Sequence, residues 1–186
     1  MPTLNRTASV TRTHNLMRKT ALAIGGAALI AASAQIEVVR HPVPMTLQTL
    51  PVLAVGLALG LRLGFASLMT YMAAGLVGLP VFAGGAAGPA VFVGPSGGYL
   101  LGFVIAAAFC GWARDRGWTR NPEAAAAVSI IGGALVYPTG LLQLGTVIGW
   151  DKPVLAFGLY PFILGDLIKA LLAGLGYAAV THSFRR

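Results

Sequence analysis

Six apolar runs, separated by short polar or glycine-rich segments, constrain what this chain can fold into. They cover roughly residues 20–39, 46–61, 63–80, 96–113, 122–144 and 154–181. A helix that crosses a bilayer needs about 20 apolar residues, at about 1.5 Å per residue. Only 10% of the 186 residues are charged, and 56% are hydrophobic, so a soluble domain of this composition could not cover its surface. We therefore expect an all-α integral membrane protein built as a six-helix bundle.

The distribution of lysine and arginine predicts how the bundle is oriented. If six spans are threaded from an N-terminus inside the cell, the cationic residues on the inner side are Arg6, Arg12, Arg18, Lys19, Arg62, Arg114, Arg116, Arg120, Arg185 and Arg186. Only Arg40 and Lys152 fall outside. Because cytoplasmic segments carry the excess of positive charge, we expect both termini to be cytoplasmic and the protein to lie in the cytoplasmic (inner) membrane.

The same charges define the domain organisation. Residues 1–19 form a basic cytoplasmic tail that we expect to be loose, residues 20–182 form the membrane domain, and residues 183–186 form a C-terminal tail. The net charge of +8 would suggest a nucleic-acid partner in a soluble protein. Here the cations lie between apolar runs and form no basic patch interleaved with aromatic residues, so we expect no nucleic-acid binding.

The first apolar run also has a second interpretation. The segment MRKTALAIGGAALIAASA begins with basic residues, continues with an apolar core and ends in the small-residue pattern Ala32-Ser33-Ala34. These are the features of a cleavable signal peptide. Cleavage would leave five spans instead of six.

Glycine and proline indicate where the runs are interrupted. Pro51 predicts a kink or irregularity at the beginning of the second run, Arg62 and Gly64 predict a tight turn after it, and Pro138 predicts a kink in the fifth run. Residues 81–98 carry no charge and are broken by glycine and proline. Irregular backbone at membrane depth is tolerated where it is buried in protein or lines a cavity, so this segment is a candidate wall of a site or, alternatively, a plain connector.

Two opposite charges lie inside the last apolar run. Asp166 and Lys169 are three residues apart and therefore share one helix face. A single charge at the bilayer centre costs on the order of 3 kcal/mol on insertion scales. Two apolar residues would avoid that cost, so we expect the couple to form a binding or transport site that faces the bundle interior. The alternative is a structural ion pair that locks two helices together.

Other chemistry has little support in the residues. Gln48 and Gln143 lie near the outer ends of their runs and could converge with Asp166. The chain contains no P-loop and no HExxH pattern. The segment VGPSGGYL has the letters G-x-S-x-G, but we do not interpret it as a nucleophile elbow, which requires a strand-to-helix turn. Its one cysteine, Cys110, allows no intrachain disulfide, and we expect neither a metal site nor a cofactor. ATP chemistry would have to come from a partner chain, and we expect that the protein is not an enzyme.

Four segments resemble a known family. They are PVPMTLQTLPVLAVGLALG (42–60), YMAAGLVGLPVFAGG (71–85), GPSGGYLLGF (94–103) and LYPFILGDLIKALLA (159–173). They are similar to the BioY family, the biotin-specific substrate-capture (S) subunits of energy-coupling-factor (ECF) importers. The resemblance implies a retained first helix, six helices in all, and one biotin near the outer side, covered by residues 40–48.

The resemblance also implies the residues that bind biotin. Asp166 and Lys169 match the acidic and basic pair of the family, which suits a ureido ring because a carboxylate accepts from N–H groups and an ammonium donates to the ring oxygen. Tyr99 and Gln48 match motif positions near the pocket. The backbone of residues 84–98, with Gly84, Gly85 and Gly98, is expected to receive the biotin carboxylate as an anion nest does. Family members often carry a basic or polar residue in this loop, where this chain has Ala86 and Ala87.

The partners implied by the resemblance are a transmembrane coupling subunit and two ATP-binding-cassette ATPases. Ala23, Ala27 and Ala31 recur at i, i+4 and i+8 and could dock the coupling subunit, because small residues let membrane helices approach closely. Packing within the bundle is the alternative for that stripe. The alternatives for the whole chain are an S subunit for another vitamin, a self-sufficient secondary transporter and an intramembrane enzyme.

Overall fold

The computed structural model describes residues 3–39 and 43–183. Its elements are α1 (Thr3–Ala34), β1 (Glu37–Val39), β2 (Met45–Thr46), α2 (Thr49–Leu76), a 3₁₀ turn (Ala83–Gly85), α3 (Ala90–Val93), α4 (Gly97–Asp115), α5 (Pro122–Ala134), α6 (Val136–Ile148), α7 (Val154–Gly158) and α8 (Ile163–Ser183). The expectations for Arg40, Arg185 and Arg186 lie outside the described residues. Within them, five helical stretches are long and apolar enough to cross a membrane, which confirms the predicted fold class.

The helix α2 folds back on itself at Gly60, so that it accounts for two of the six predicted spans, the second and the third. Gly60 has φ 77° and ψ 179°, a conformation that is essentially restricted to glycine. A Cβ added to Gly64 would lie 3.1 Å from the Cα of Gly56, although eight residues of a straight helix span about 12 Å. The tight turn predicted near Arg62 is therefore confirmed, and it separates a first arm (49–59) from a second arm (61–76).

The predicted proline kinks have different outcomes. The fifth run is interrupted between Ala134 and Val136, directly before Pro138, because proline has no N–H to donate to the carbonyl of residue 134. Pro51 causes no kink, since the only non-helical residue inside α2 is Gly60. Pro51 lies in the first turn of α2, where backbone N–H groups have no partner within the helix in any case.

The last run differs most from the prediction. It is interrupted after α7, and α8 begins only at Ile163, so Asp166 lies in the first turn of α8. The sequence predicted one continuous helix with this carboxylate a dozen residues from its beginning. A carboxylate in a first turn is favoured by the positive end of the helix dipole, which accounts for part of its tolerance in an apolar helix.

The first helix also departs from the prediction. It begins at Thr3, so the basic segment that we expected to be loose is helical. The stripe proposed for partner docking faces the bundle interior: Ala23 and Ala27 are buried, and Ala31 packs against the core. At the neighbouring Gly26, an added Cβ would lie 2.9 Å from the Cβ of Ser67 in α2. The small residues therefore permit close packing of α1 against α2, as the alternative interpretation stated, and the docking role is not supported by this arrangement.

Two adjacent alanines test this correction. Ala27→Leu should lower the thermal unfolding midpoint of the purified protein, because overpacking a tight interface costs about 1–3 kcal/mol. Ala28 is exposed on the opposite face of α1, so Ala28→Leu should leave the midpoint unchanged and serves as the matched control. Equal midpoints for the two variants would contradict the assignment of Ala27 to the bundle interior.

Candidate ligand-binding site

A cavity of about 100 Å³ lies between the β1–β2 hairpin, the 82–96 segment and the helices α2, α4, α6 and α8. Most of its wall is apolar. Its polar lining consists of Thr46, Gln48, Thr49, Ser96, Tyr99, Tyr137, Asp166 and Lys169. The segment 81–98, predicted as the wall of a site, contributes Phe82, Ala83, Ala86, Val91 and Ser96. The cavity is therefore assembled from parts of the chain that are far apart in sequence.

Asp166 lies at the polar end of the cavity and is held by three donors. Its Oδ1 accepts from Thr49 Oγ1 at 3.1 Å and from Lys169 Nζ at 3.0 Å. Its Oδ2 accepts from Tyr137 Oη at 2.7 Å. These donors come from α2, α8 and α6, so the carboxylate connects three helices. Only 14% of its side chain is exposed, and for Lys169 the figure is 13%, so the pair is largely removed from solvent.

Lys169 connects this carboxylate to the hairpin. Its Nζ donates to the backbone carbonyl of Thr46 at 2.7 Å in addition to Asp166. Thr46 belongs to β2, which pairs antiparallel with β1 through Glu37 and Thr46. The ammonium therefore fixes the base of the hairpin above the cavity. The sequence did not predict this hairpin. Its strands comprise only five residues of the described chain, too few to show an alternating pattern.

Gln48 holds the other side of the same hairpin base. Its Oε1 accepts from Thr46 Oγ1 at 2.9 Å, and its Nε2 donates to Tyr71 Oη at 2.7 Å. Tyr71 lies in the second arm of α2, so this bond also ties the two arms together. Gln48 is buried and lines the cavity, which agrees with its predicted position. Its ligand-binding role stays a prediction.

Aromatic rings form much of the remaining wall. Tyr99 stacks on Phe162 with ring centroids 6.4 Å apart, and its ring is nearly perpendicular to that of Tyr137, with centroids 6.5 Å apart. Its hydroxyl donates to the carbonyl of Gly158 at 2.8 Å. On the opposite side, Phe82 is buried and lies edge-on to Phe92 at 5.5 Å. Such a wall suits a flat or apolar ligand with one polar end.

Two predicted site residues pack against neighbouring segments and do not line the cavity, and their ligand-binding role stays a prediction. Gln143 does not line the cavity: its Nε2 donates to the carbonyls of Phe92 at 2.6 Å and Gly94 at 2.8 Å. It therefore anchors the irregular segment from α6. Gly98 is buried where α4 crosses α6, and an added Cβ would collide with the backbone carbonyl of Thr139. Both help to position segments that form the cavity wall, and neither residue is exposed to the cavity.

Gly84 and Gly85 also lie outside the cavity. They are exposed and line a separate depression together with Gln35, Glu37 and Val38. Both have positive φ, 64° and 74°, so they shape the turn that brings Ala83 and Ala86 to the cavity wall. A Cβ at Gly84 would lie 2.8 Å from a carboxylate oxygen of Glu37. The role expected for these two glycines in binding the biotin carboxylate stays a prediction.

Thr49 and Tyr137 donate to Asp166, and the sequence alone did not single them out. Both occur in apolar runs as isolated hydroxyl groups, a pattern that many structural residues share. The signal that could have identified Tyr137 is its position directly before Pro138, where the helix break turns α6 toward Asp166. Thr49 begins α2, which follows the hairpin directly.

Comparison with known proteins places this architecture. The family model described as the BioY family matches residues 5–186. A Pyrococcus horikoshii protein named "Probable biotin transporter BioY" is 40% identical over 146 residues, which cover 78% of this chain and 85% of that protein. The "Biotin transporter BioY" of Thermotoga maritima is 35% identical over 148 residues, covering 80% and 86%.

A solved structure agrees at the level of the fold. The crystal structure of the S-component for biotin from an ECF-type ABC transporter matches with a TM-score of 0.77 at 26% identity, covering 91% of this chain and 93% of that one. With the family model, the two relatives and the fold in agreement, this chain is a member of the BioY family.

Proposed function

We propose that this protein captures biotin and delivers it across the membrane as the S subunit of an ECF-type importer. BioY proteins are transporters, so the protein is not an enzyme. The observation that carries the proposal is the cavity with the Asp166–Lys169 pair at one end and aromatic walls along the rest. The bicycle of biotin has the same division, a polar ureido ring fused to an apolar thioether ring, from which an aliphatic chain leads to a carboxylate.

The chemistry of the polar end supports this ligand. A carboxylate accepts from a ureido N–H, and an ammonium donates to the ureido oxygen. Both bonds are charge-assisted and lie in a site shielded from water, where they are stronger than bonds between neutral groups. The aromatic rings of Tyr99 and Phe162 provide a surface for the apolar part of the bicycle.

The orientation and partners form the finer part of the proposal. The excess of arginine at the termini and at residues 62 and 114–120 favours cytoplasmic termini in the cytoplasmic membrane. The cavity and the hairpin then lie toward the outer side. The chain carries no P-loop, so we propose that a coupling subunit and two ATPase subunits supply the energy for import.

Removal of either charge should weaken biotin binding. Asp166→Asn and Lys169→Ala are each expected to raise the Kd for biotin by about ten- to a hundredfold, because a hydrogen bond to a charged group contributes about 1.5–3 kcal/mol. Binding is measured by calorimetry on the purified chain.

A second ion pair provides the control for these variants. Asp151 and Lys152 form a solvent-exposed pair, 3.5 Å apart, in the loop before α7. Asp151→Asn and Lys152→Ala should bind biotin as tightly as the parent. If Asp166→Asn and Lys169→Ala also bind like the parent, the assignment of this cavity to biotin is wrong. Tighter binding of another vitamin by the parent would favour an S subunit for that vitamin.

Reconstitution separates an energised importer from a self-sufficient transporter. Proteoliposomes that contain this chain with a coupling subunit and ATPases should accumulate radiolabelled biotin only when ATP is present on the ATPase side. Proteoliposomes with the chain alone should bind biotin without ATP-dependent accumulation, since this sequence has no nucleotide-binding motif. Accumulation by the chain alone under an ion gradient would contradict the proposal and favour a secondary transporter.

A further inference from the structure

The hydrogen-bonding capacity of the Asp166–Lys169 pair is largely used by the protein itself. A carboxylate has about four acceptor positions, and an ammonium has three N–H donors. Asp166 uses two positions on Oδ1, for Thr49 and Lys169, and one on Oδ2, for Tyr137. Lys169 uses one donor for Asp166 and one for the carbonyl of Thr46. Among the contacts of the described residues, one acceptor position, on Oδ2, and one N–H of Lys169 are left.

We infer that the pair recognises a single cis-amide edge, one N–H beside one C=O, and that Thr49 and Tyr137 are positioning residues that determine this specificity. The open N–H is on Nζ, which lies 3.0 Å from Oδ1, and the open acceptor position is on Oδ2 of the same carboxylate, so the two positions can reach adjacent atoms of one ring. An edge with two donors would place a donor against the ammonium. An edge with two acceptors would place an acceptor against the carboxylate.

This inference rests on the proposed function and makes it more specific. The ureido ring of biotin carries two N–H groups on either side of its C=O. Thr49 and Lys169 occupy Oδ1, and Tyr137 occupies half of Oδ2, so the carboxylate can accept from only one of the two N–H groups. The other N–H is not read by the pair. The site therefore treats the two ureido nitrogens unequally.

Tyr137 and Thr49 produce this asymmetry by preventing rotation of the carboxylate. They approach it from two different helices, α6 and α2, and each donates to a different oxygen. Loss of either hydroxyl opens an acceptor position and lets the carboxylate turn. The freed oxygen could then accept from either ureido N–H, so the distinction between the two nitrogens is lost.

The test uses three ligands on the purified full-length chain. They are biotin and two isosteric analogues in which one or the other ureido N–H is replaced by a ring oxygen. One analogue should lose about ten- to a hundredfold in Kd, because its charge-assisted bond to Asp166 is missing. The other should bind nearly as well as biotin. Equal losses for both analogues overturn the inference, and this measurement needs no variant.

The positioning role is tested by the ratio of the Kd values of the two analogues, measured in variants that lack one of the two hydroxyl groups. Tyr137→Phe and Thr49→Val keep the shape of the side chain and remove the donor, so the ratio of the two Kd values should fall toward one. Thr49→Ser restores a hydroxyl and should restore the ratio. Tyr160 is exposed and does not line the cavity, so Tyr160→Phe should leave the ratio unchanged and controls for tyrosine loss.

The outcomes separate this inference from the proposed function. If the parent binds no biotin, the proposed function is wrong and this inference fails with it. If the parent binds biotin and the ratio persists in Tyr137→Phe and Thr49→Val, only the positioning role is overturned. A thermal unfolding midpoint for each variant identifies a change of fold, and the Thr49→Ser and Thr49→Val pair decides the question if Tyr137→Phe is unstable.

Discussion

The ion pair between Asp166 and Lys169 connects four parts of this molecule. Through it, α8 is bonded to the hairpin at the carbonyl of Thr46, to α2 at Thr49 and to α6 at Tyr137. A lone charge in an apolar helix would cost on the order of 3 kcal/mol. A single contact between the two charges would not explain why both are present, since two apolar residues would avoid the cost. Here the pair provides polar contacts from α8 to the hairpin, α2 and α6. The ion pair can therefore be structural and functional at the same time, because the residues that hold the helices together also line the cavity.

The position of Asp166 explains why this arrangement is tolerated. Its location in the first turn of α8, after the break at residues 159–162, places the carboxylate at the positive end of a helix dipole. The same break brings Phe162 to the cavity, where it stacks on Tyr99. An uninterrupted helix from residue 154 would have left Asp166 in mid-helix, without that favourable field. The break in the helix therefore contributes to the electrostatic stabilisation of the Asp166 carboxylate.

Features that depend on local chemistry could be predicted from the sequence. Apolar run lengths, the i and i+3 spacing of the charges and the uncharged 81–98 segment each identify their element without knowledge of its neighbours. Features that depend on which elements meet could not. Gln143 has the chemistry of a ligand contact, but α6 turns its amide toward the carbonyls of Phe92 and Gly94. The alanine stripe that includes Ala27 would allow close approach of a helix from inside the bundle or from a partner. Only its packing against α2 shows that this face is internal.

The hydroxyl contacts of the pair have a consequence for ligand entry and release. The carboxylate and the ammonium are bonded to each other and to protein groups. A ligand that uses only their remaining positions does not need to break those bonds, so neither charge passes through an unpaired state in an apolar site. The Lys169 bond to the Thr46 carbonyl also lies at the base of the hairpin above the cavity. A ligand that competed for that bond would loosen the cover at the moment of binding, whereas one that leaves it intact binds beneath a cover whose base stays fixed. The second course requires less reorganisation, and it follows directly from the number of hydrogen bonds that the pair already makes.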